Sequence, residues 1–161
     1  MERGYNRIKL KDFEHCSELA EVKISYIGKT PWGEKINKSA DVFQILFDLY
    51  DKDTIELKEE FFVIFLNRSN RYLGWIKLSS GGSSGTVVDV KIIYALALLT
   101  NAHSFIISHN HPSGNINPSE ADIGITKKVK EAGKLMEITL FDHIIVSPDG
   151  RYYSFADEGT I

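Results

Sequence analysis

The stretch SFIISHNHPSGNINPSEADIGITKKVKEAG, residues 104–133, changes character in its middle. SFIIS (104–108) is a continuous apolar run of strand length, which reads as a short buried strand. Pro112, Gly114 and Pro118 then stop the strand and turn the chain. Ser119 stands where a helix N-cap is expected, and ADIGITKKVKEAG follows with Gly133 near its end. The segment is therefore strand, turn, helix. Strand ends and helix starts are where sites gather in mixed folds.

Working outward, EVKISYI (21–27) alternates as a strand does, and GKTPWGEKIN (28–37) is turn-rich. Ser39 reads as an N-cap with Asp41 in the first turn; Val42, Phe43, Ile45, Leu46 and Leu49 recur at helical spacing over 40–50. FFVIFLN (61–67) predicts a strand buried on both faces, and RYLGWIKL (71–78) its hairpin partner. SSGGSSG (79–85) reads as a mobile loop, one rim of a substrate groove. Asp89 caps a helix running to about Leu99. ITLFDHIIV (138–146) is a further strand; the turn SPDG (147–150) suits type I, and RYYSF (151–155) pairs back. The fold class is α/β (α+β): a mixed central sheet flanked by about three helices.

The whole chain narrows the function classes. Its 161 residues fit one domain, and 43% apolar content is enough for a core. A net charge of −3 gives no electrostatic footprint for nucleic acid. The single cysteine, Cys16, excludes an internal disulfide and a cysteine-rich zinc site, and fits a reducing compartment. MERGYNRIKLKDFEH is not a signal peptide, and no apolar run reaches the roughly 18 residues of a membrane span. The expected location is cytoplasmic.

His109 and His111 are two residues apart, so in extended chain their rings point the same way. The loop that follows is long enough to return the Asp122 carboxylate beside them. Two imidazoles and a carboxylate are three of the four ligands of a tetrahedral zinc. Leaving the fourth position to water is the pattern of catalytic zinc, which lowers the pKa of that water toward about 7. Ser119 and Asp122 also form the Ser-x-x-acid pattern of a capping box, a purely structural alternative. Asn110 and Ser113 brace the turn among these residues. Trp32, Trp75 and the tyrosines read as core or groove-lining aromatics.

HNHPSGNINPSEAD fits the H-x-H-x7-S-x-x-D signature of JAMM (MPN+) metalloproteases. With KEEFFVIFLN, TVVD, FDHIIV and YYSFADEG in order, residues 38–161 resemble the JAB domain of RadC-type bacterial proteins, leaving 1–37 as an N-terminal extension with a strand. The resemblance implies a JAB/MPN architecture, related to that of the cytidine deaminases. It implies one Zn2+ per chain held by His109, His111 and Asp122, and an acidic residue upstream. Glu59 and Glu60 both precede the Phe-rich strand; the residues alone leave them open, and the family match favours Glu59. It further implies that Glu59 moves the proton in peptide or isopeptide hydrolysis while the Ser119 hydroxyl steadies the oxyanion. His143, in FDHIIV, is expected behind the ligands or in core packing, not as a ligand. His103 reads as a loop residue, and His15 lies outside the resemblance.

Rival chemistries lack their residues. A zinc deaminase needs H-x-E with P-C-x-x-C, a zincin needs H-E-x-x-H, and neither is present. SSGGSSGT lacks the ending of a P-loop, and no serine-nucleophile elbow occurs. The second hypothesis is a DNA-repair-associated accessory module, because RadC-type proteins carry that label. The acidic balance counts against it, as does the short stretch ahead of the domain, which has no room for the helix-hairpin-helix region of many relatives. A third is a domain whose metal only staples the fold. The expected partner is a peptide or protein substrate, with no membrane; the sequence leaves the oligomeric state open.

Overall fold

The computed structural model describes Tyr26 and residues 33–82 and 88–161. The strand expected at 21–27, apart from Tyr26, and Trp32 lie outside the described residues. The element order is α1 (Ser39–Leu49), β1 (Glu60–Leu66), β2 (Tyr72–Ser80), α2 (Val90–Leu99), β3 (Ser104–Asn110), α3 (Glu120–Met136), β4 (Thr139–Val146) and β5 (Tyr152–Ser154). The five strands form one mixed sheet in the order β2-β1-β3-β4-β5. β3 and β4 run parallel; the other neighbours are antiparallel. A parallel pair needs a long crossover, and α3 supplies it.

The alternation of β1 sorts the core into two layers. Phe61, Val63 and Phe65 pack with Val90, Ile93, Tyr94 and Ala97 of α2 and Val129 of α3. Phe62, Ile64 and Leu66 pack on the other face with Val42 and Leu46 of α1, together with Ile36. Every residue of β1 is buried, as its unbroken apolar run predicts. Each such large side chain stabilises the fold by about 1.5–3 kcal/mol relative to exposure. The hairpin before β2 is set by Asn67, whose Oδ1 accepts the Ser69 and Arg71 N–H groups at 2.8 and 3.1 Å, and by left-handed Asn70.

Several local expectations change. Lys38, not Ser39, is the N-cap of α1, and the Asp41 carboxylate accepts the Asn37 and Lys38 N–H groups at 3.0 and 3.3 Å. β2 runs on through Ser79 and Ser80, and Gly81 and Gly82 bond to Glu59, so the first half of the expected loop is anchored backbone. β3 extends past Ser108, so His109 lies within the strand and not after it. α3 passes Gly133 and ends at Met136, with Glu137 in the left-handed region. Gly133 is required by close approach: a Cβ there would meet the Ile138 carbonyl oxygen at 2.5 Å. Trp75 is half exposed on the edge strand β2 instead of belonging to the core. No helix among the described residues is long and apolar enough to cross a membrane.

Candidate metal centre

β3 carries His109 between two neighbours, opposite Phe61 of β1 and Ile145 of β4. It therefore faces the α2/α3 layer and is buried. His111 lies just beyond the strand, where its N–H donates to the Val146 carbonyl at 2.9 Å. Left-handed Gly114 then turns the chain, its N–H returning to the His111 carbonyl. Ser119 caps α3 and Asp122 follows in the first turn.

The three side chains converge. His109 Nε2 lies 3.0 Å from His111 Nε2 and 3.0 Å from Asp122 Oδ1, and His111 Nε2 lies 3.4 Å from Asp122 Oδ2. The capping box is also formed. Asp122 Oδ2 accepts the Ser119 N–H at 2.7 Å and its hydroxyl at 2.6 Å, while the Asp122 N–H donates back to Ser119 Oγ at 3.2 Å. Capping and convergence thus coexist, because one carboxylate has two oxygens and about four lone-pair directions. The hydroxyl proton of Ser119 is directed at Asp122.

The donor set fits a divalent metal. His111 Nδ1 meets the Asn115 carbonyl at 2.5 Å and must donate to it, so a neutral His111 presents the Nε2 lone pair to the cluster. Electron-pair donors facing one another at such distances repel unless a cation lies among them. The ligand atoms of His109, His111 and Asp122 are all within 4.8 Å of one another, the one such group among the described residues. The hydrogen bond to Asp122 raises the His111 pKa against the lowering effect of burial; the Asn115 carbonyl and the Glu59 charge add to the rise. Burial alone would raise Asp122, but the His109 and His111 rings facing its oxygens, together with the Ser119 hydroxyl, outweigh burial and hold the carboxyl well below its usual range.

The cluster opens into a cavity of about 490 Å³ whose walls include Glu59, Phe61, Val88, Asn117 and Ile125. Glu59 and Glu60 are separated by the sheet. Glu59 lines the cavity. Glu60 is buried elsewhere, its Oε1 3.0 Å from both Lys58 Nζ and Lys77 Nζ. The backbone around Glu59 is held on both sides. Its N–H donates to Gly82 O at 3.2 Å and its carbonyl accepts from Gly81 N at 2.8 Å. From β3, Asn110 Nδ2 donates to Lys58 O at 2.9 Å, and Asn110 Oδ1 accepts the Glu60 N–H at 2.7 Å. All four polar groups of the two peptide units flanking Glu59 are paired.

Asn110 was legible only as a brace for its own turn. It braces a segment fifty residues away in sequence instead. The signal that could have found it is its place in a strand, directed away from the histidines on either side. His143 is buried on β4, with Nε2 2.9 Å from His109 Nδ1 and Nδ1 2.6 Å from Thr126 Oγ1. Burial first, then neighbouring His109, hold its pKa well below the ordinary histidine value. Thr126 carried no signal in the sequence. His103 is an exposed residue between α2 and β3.

A family model described as the RadC-like JAB domain matches residues 36–160. The chain is 46% identical over 159 residues to a UPF0758 protein of Flavobacterium johnsoniae, covering 94% of this chain and 67% of the relative. It is 44% identical over 104 residues to a UPF0758 protein of Porphyromonas gingivalis, covering 65% and 46%. A UPF0758 protein of Methanosarcina mazei is 38% identical over 158 residues, covering 98% and 66%. The chain thus spans about half to two-thirds of the length of these relatives.

Proposed function

The chain belongs to the RadC-like JAB domain family, and on that premise we propose that it is a zinc-dependent hydrolase of peptide or isopeptide bonds. The observation that carries the reading is the convergence of His109, His111 and Asp122 in the wall of a cavity that Glu59 also lines. These three residues would hold zinc, which when bound supplies the Lewis acidity that makes water a nucleophile near neutral pH.

The chain's own groups do the rest. Glu59 accepts the proton of the attacking water and returns it to the leaving amine. Its paired backbone fixes the point from which that side chain reaches into the cavity. Ser119 stands at the helix start; when its hydroxyl turns from Asp122 toward the substrate, it donates to the carbonyl oxygen as charge develops there. Phe61, Val88 and Ile125 make part of the cavity wall apolar, which strengthens each of these interactions.

The test is direct. Protein prepared with zinc should hold one ion per chain and should turn over members of a peptide and isopeptide panel. Glu59→Gln should keep the ion and lose turnover by about 10²–10⁴-fold. A chain that takes up no zinc, or a Glu59→Gln variant as active as the wild type, would defeat the reading.

A further inference from the structure

Four groups form a chain of contacts that begins and ends on Asp122. Its backbone carbonyl lies 2.5 Å from Thr126 Oγ1. Thr126 Oγ1 lies 2.6 Å from His143 Nδ1, and His143 Nε2 lies 2.9 Å from His109 Nδ1. His109 Nε2 then faces the Asp122 carboxylate at 3.0 Å. Thr126 is buried, and His143 is fully so.

The direction of the protons follows from one end. Two oxygens at 2.5 Å need a proton between them, and a carbonyl has none to give. Thr126 therefore donates to Asp122 O, the back-bond of a helical threonine to the residue four before it. Its single proton is then committed, so Thr126 Oγ1 accepts from His143 Nδ1–H. A neutral His143 protonated on Nδ1 has a lone pair on Nε2, so His109 must donate from Nδ1. That leaves the Nε2 lone pair of His109 for the cluster.

We propose that Thr126 and His143 are positioning residues that fix the His109 tautomer, so that α3 supplies both the Asp122 carboxylate and the device that aims the opposite ligand. This rests on the reading of the cluster as a metal site. With the relay reversed, His143 would donate from Nε2, and His109 would carry its proton on Nε2, where it blocks coordination. Partners behind a ligating histidine commonly change metal affinity 10–100-fold.

The experiment uses the full chain labelled with ¹⁵N-histidine. Long-range ¹H–¹⁵N correlation on metal-free wild type should show His143 as the neutral Nδ1–H tautomer. Zinc affinity, measured by chelator competition, should fall at least ten-fold in Thr126→Val while the thermal transition stays cooperative. Thr126→Ser, which keeps the hydroxyl, should restore both the tautomer and the affinity. Wild-type His143 found as Nε2–H or as the cation would overturn the relay, with no variant needed. Thr126→Val that binds zinc like the wild type would overturn it as well. Wild type showing the expected tautomer but binding no zinc would overturn the metal reading on which the positioning role rests.

Discussion

Asn110, between the two histidines of the cluster, accepts the Glu60 N–H on its Oδ1 at 2.7 Å and so ties the strand of His109 to the segment bearing Glu59. Its amide also donates to Ile55 O at 2.7 Å and to Lys58 O at 2.9 Å. Asn110→Ala should cost about 2–4 kcal/mol of stability, because it removes three hydrogen bonds and leaves buried backbone groups unpaired. Urea unfolding measures it. Zinc affinity should change much less, since Asn110 faces away from the cluster, and turnover should fall because Glu59 is then held only from the Gly81–Gly82 side.

Asp122→Ala should abolish tight zinc binding. It also removes the partner of the Ser119 N–H, at a cost of about 0.5–2 kcal/mol. The variant should remain folded, as judged by a cooperative thermal transition. An unfolded Asp122→Ala would instead favour a metal that staples the fold.

Glu60→Gln should behave unlike Glu59→Gln. The Lys58 and Lys77 ammonium groups, opposed by burial, hold the Glu60 carboxyl below its ordinary pKa. A depressed carboxyl stabilises the fold above its unfolded pKa and loses that contribution as pH falls through the folded one. Wild type and Glu60→Gln should therefore differ by about 1 kcal/mol at neutral pH, a modest amount because both lysines are partly solvated. The gap should close in acid, with zinc content unaffected. A pH series of denaturant midpoints reads this.

Zinc affinity should rise with pH across the titration of His111. Zinc bound there would have to displace a proton that the hydrogen bond to Asp122 favours on that ring, its pKa being raised above the ordinary histidine value. Below that raised pKa, apparent affinity falls with acidity; above it, this dependence levels off. Competition titrations from pH 5.5 to pH 8.5, about one unit below and two above the usual histidine value, should show the slope at the acidic end.

Periodicity carried most of the fold. Phe61–Leu66 alternates between two layers, and its continuous apolar text announces burial on both faces. The spacing of His109 and His111 announced rings on one side, and their Nε2 atoms do meet at 3.0 Å. Less legible was anything fixed by distant backbone. Ser108 looks like a strand end but is followed by two more paired residues, because β4 continues alongside to Val146. Glu59 and Glu60 read alike until Lys77, brought in from β2, claims one of them. Thr126 is an ordinary helical residue in the sequence; only the β4 crossover sets His143 against it.

Neighbouring positions of β3 address opposite sides of the sheet, His109 toward Asp122 and Asn110 toward the segment that carries Glu59. A slip of this strand by one step would exchange those two duties and leave neither fulfilled. Strand alignment here is thus fixed by polar as well as hydrophobic contacts, and zinc uptake at the proposed site should be an unusually sensitive reporter of misregistered folding.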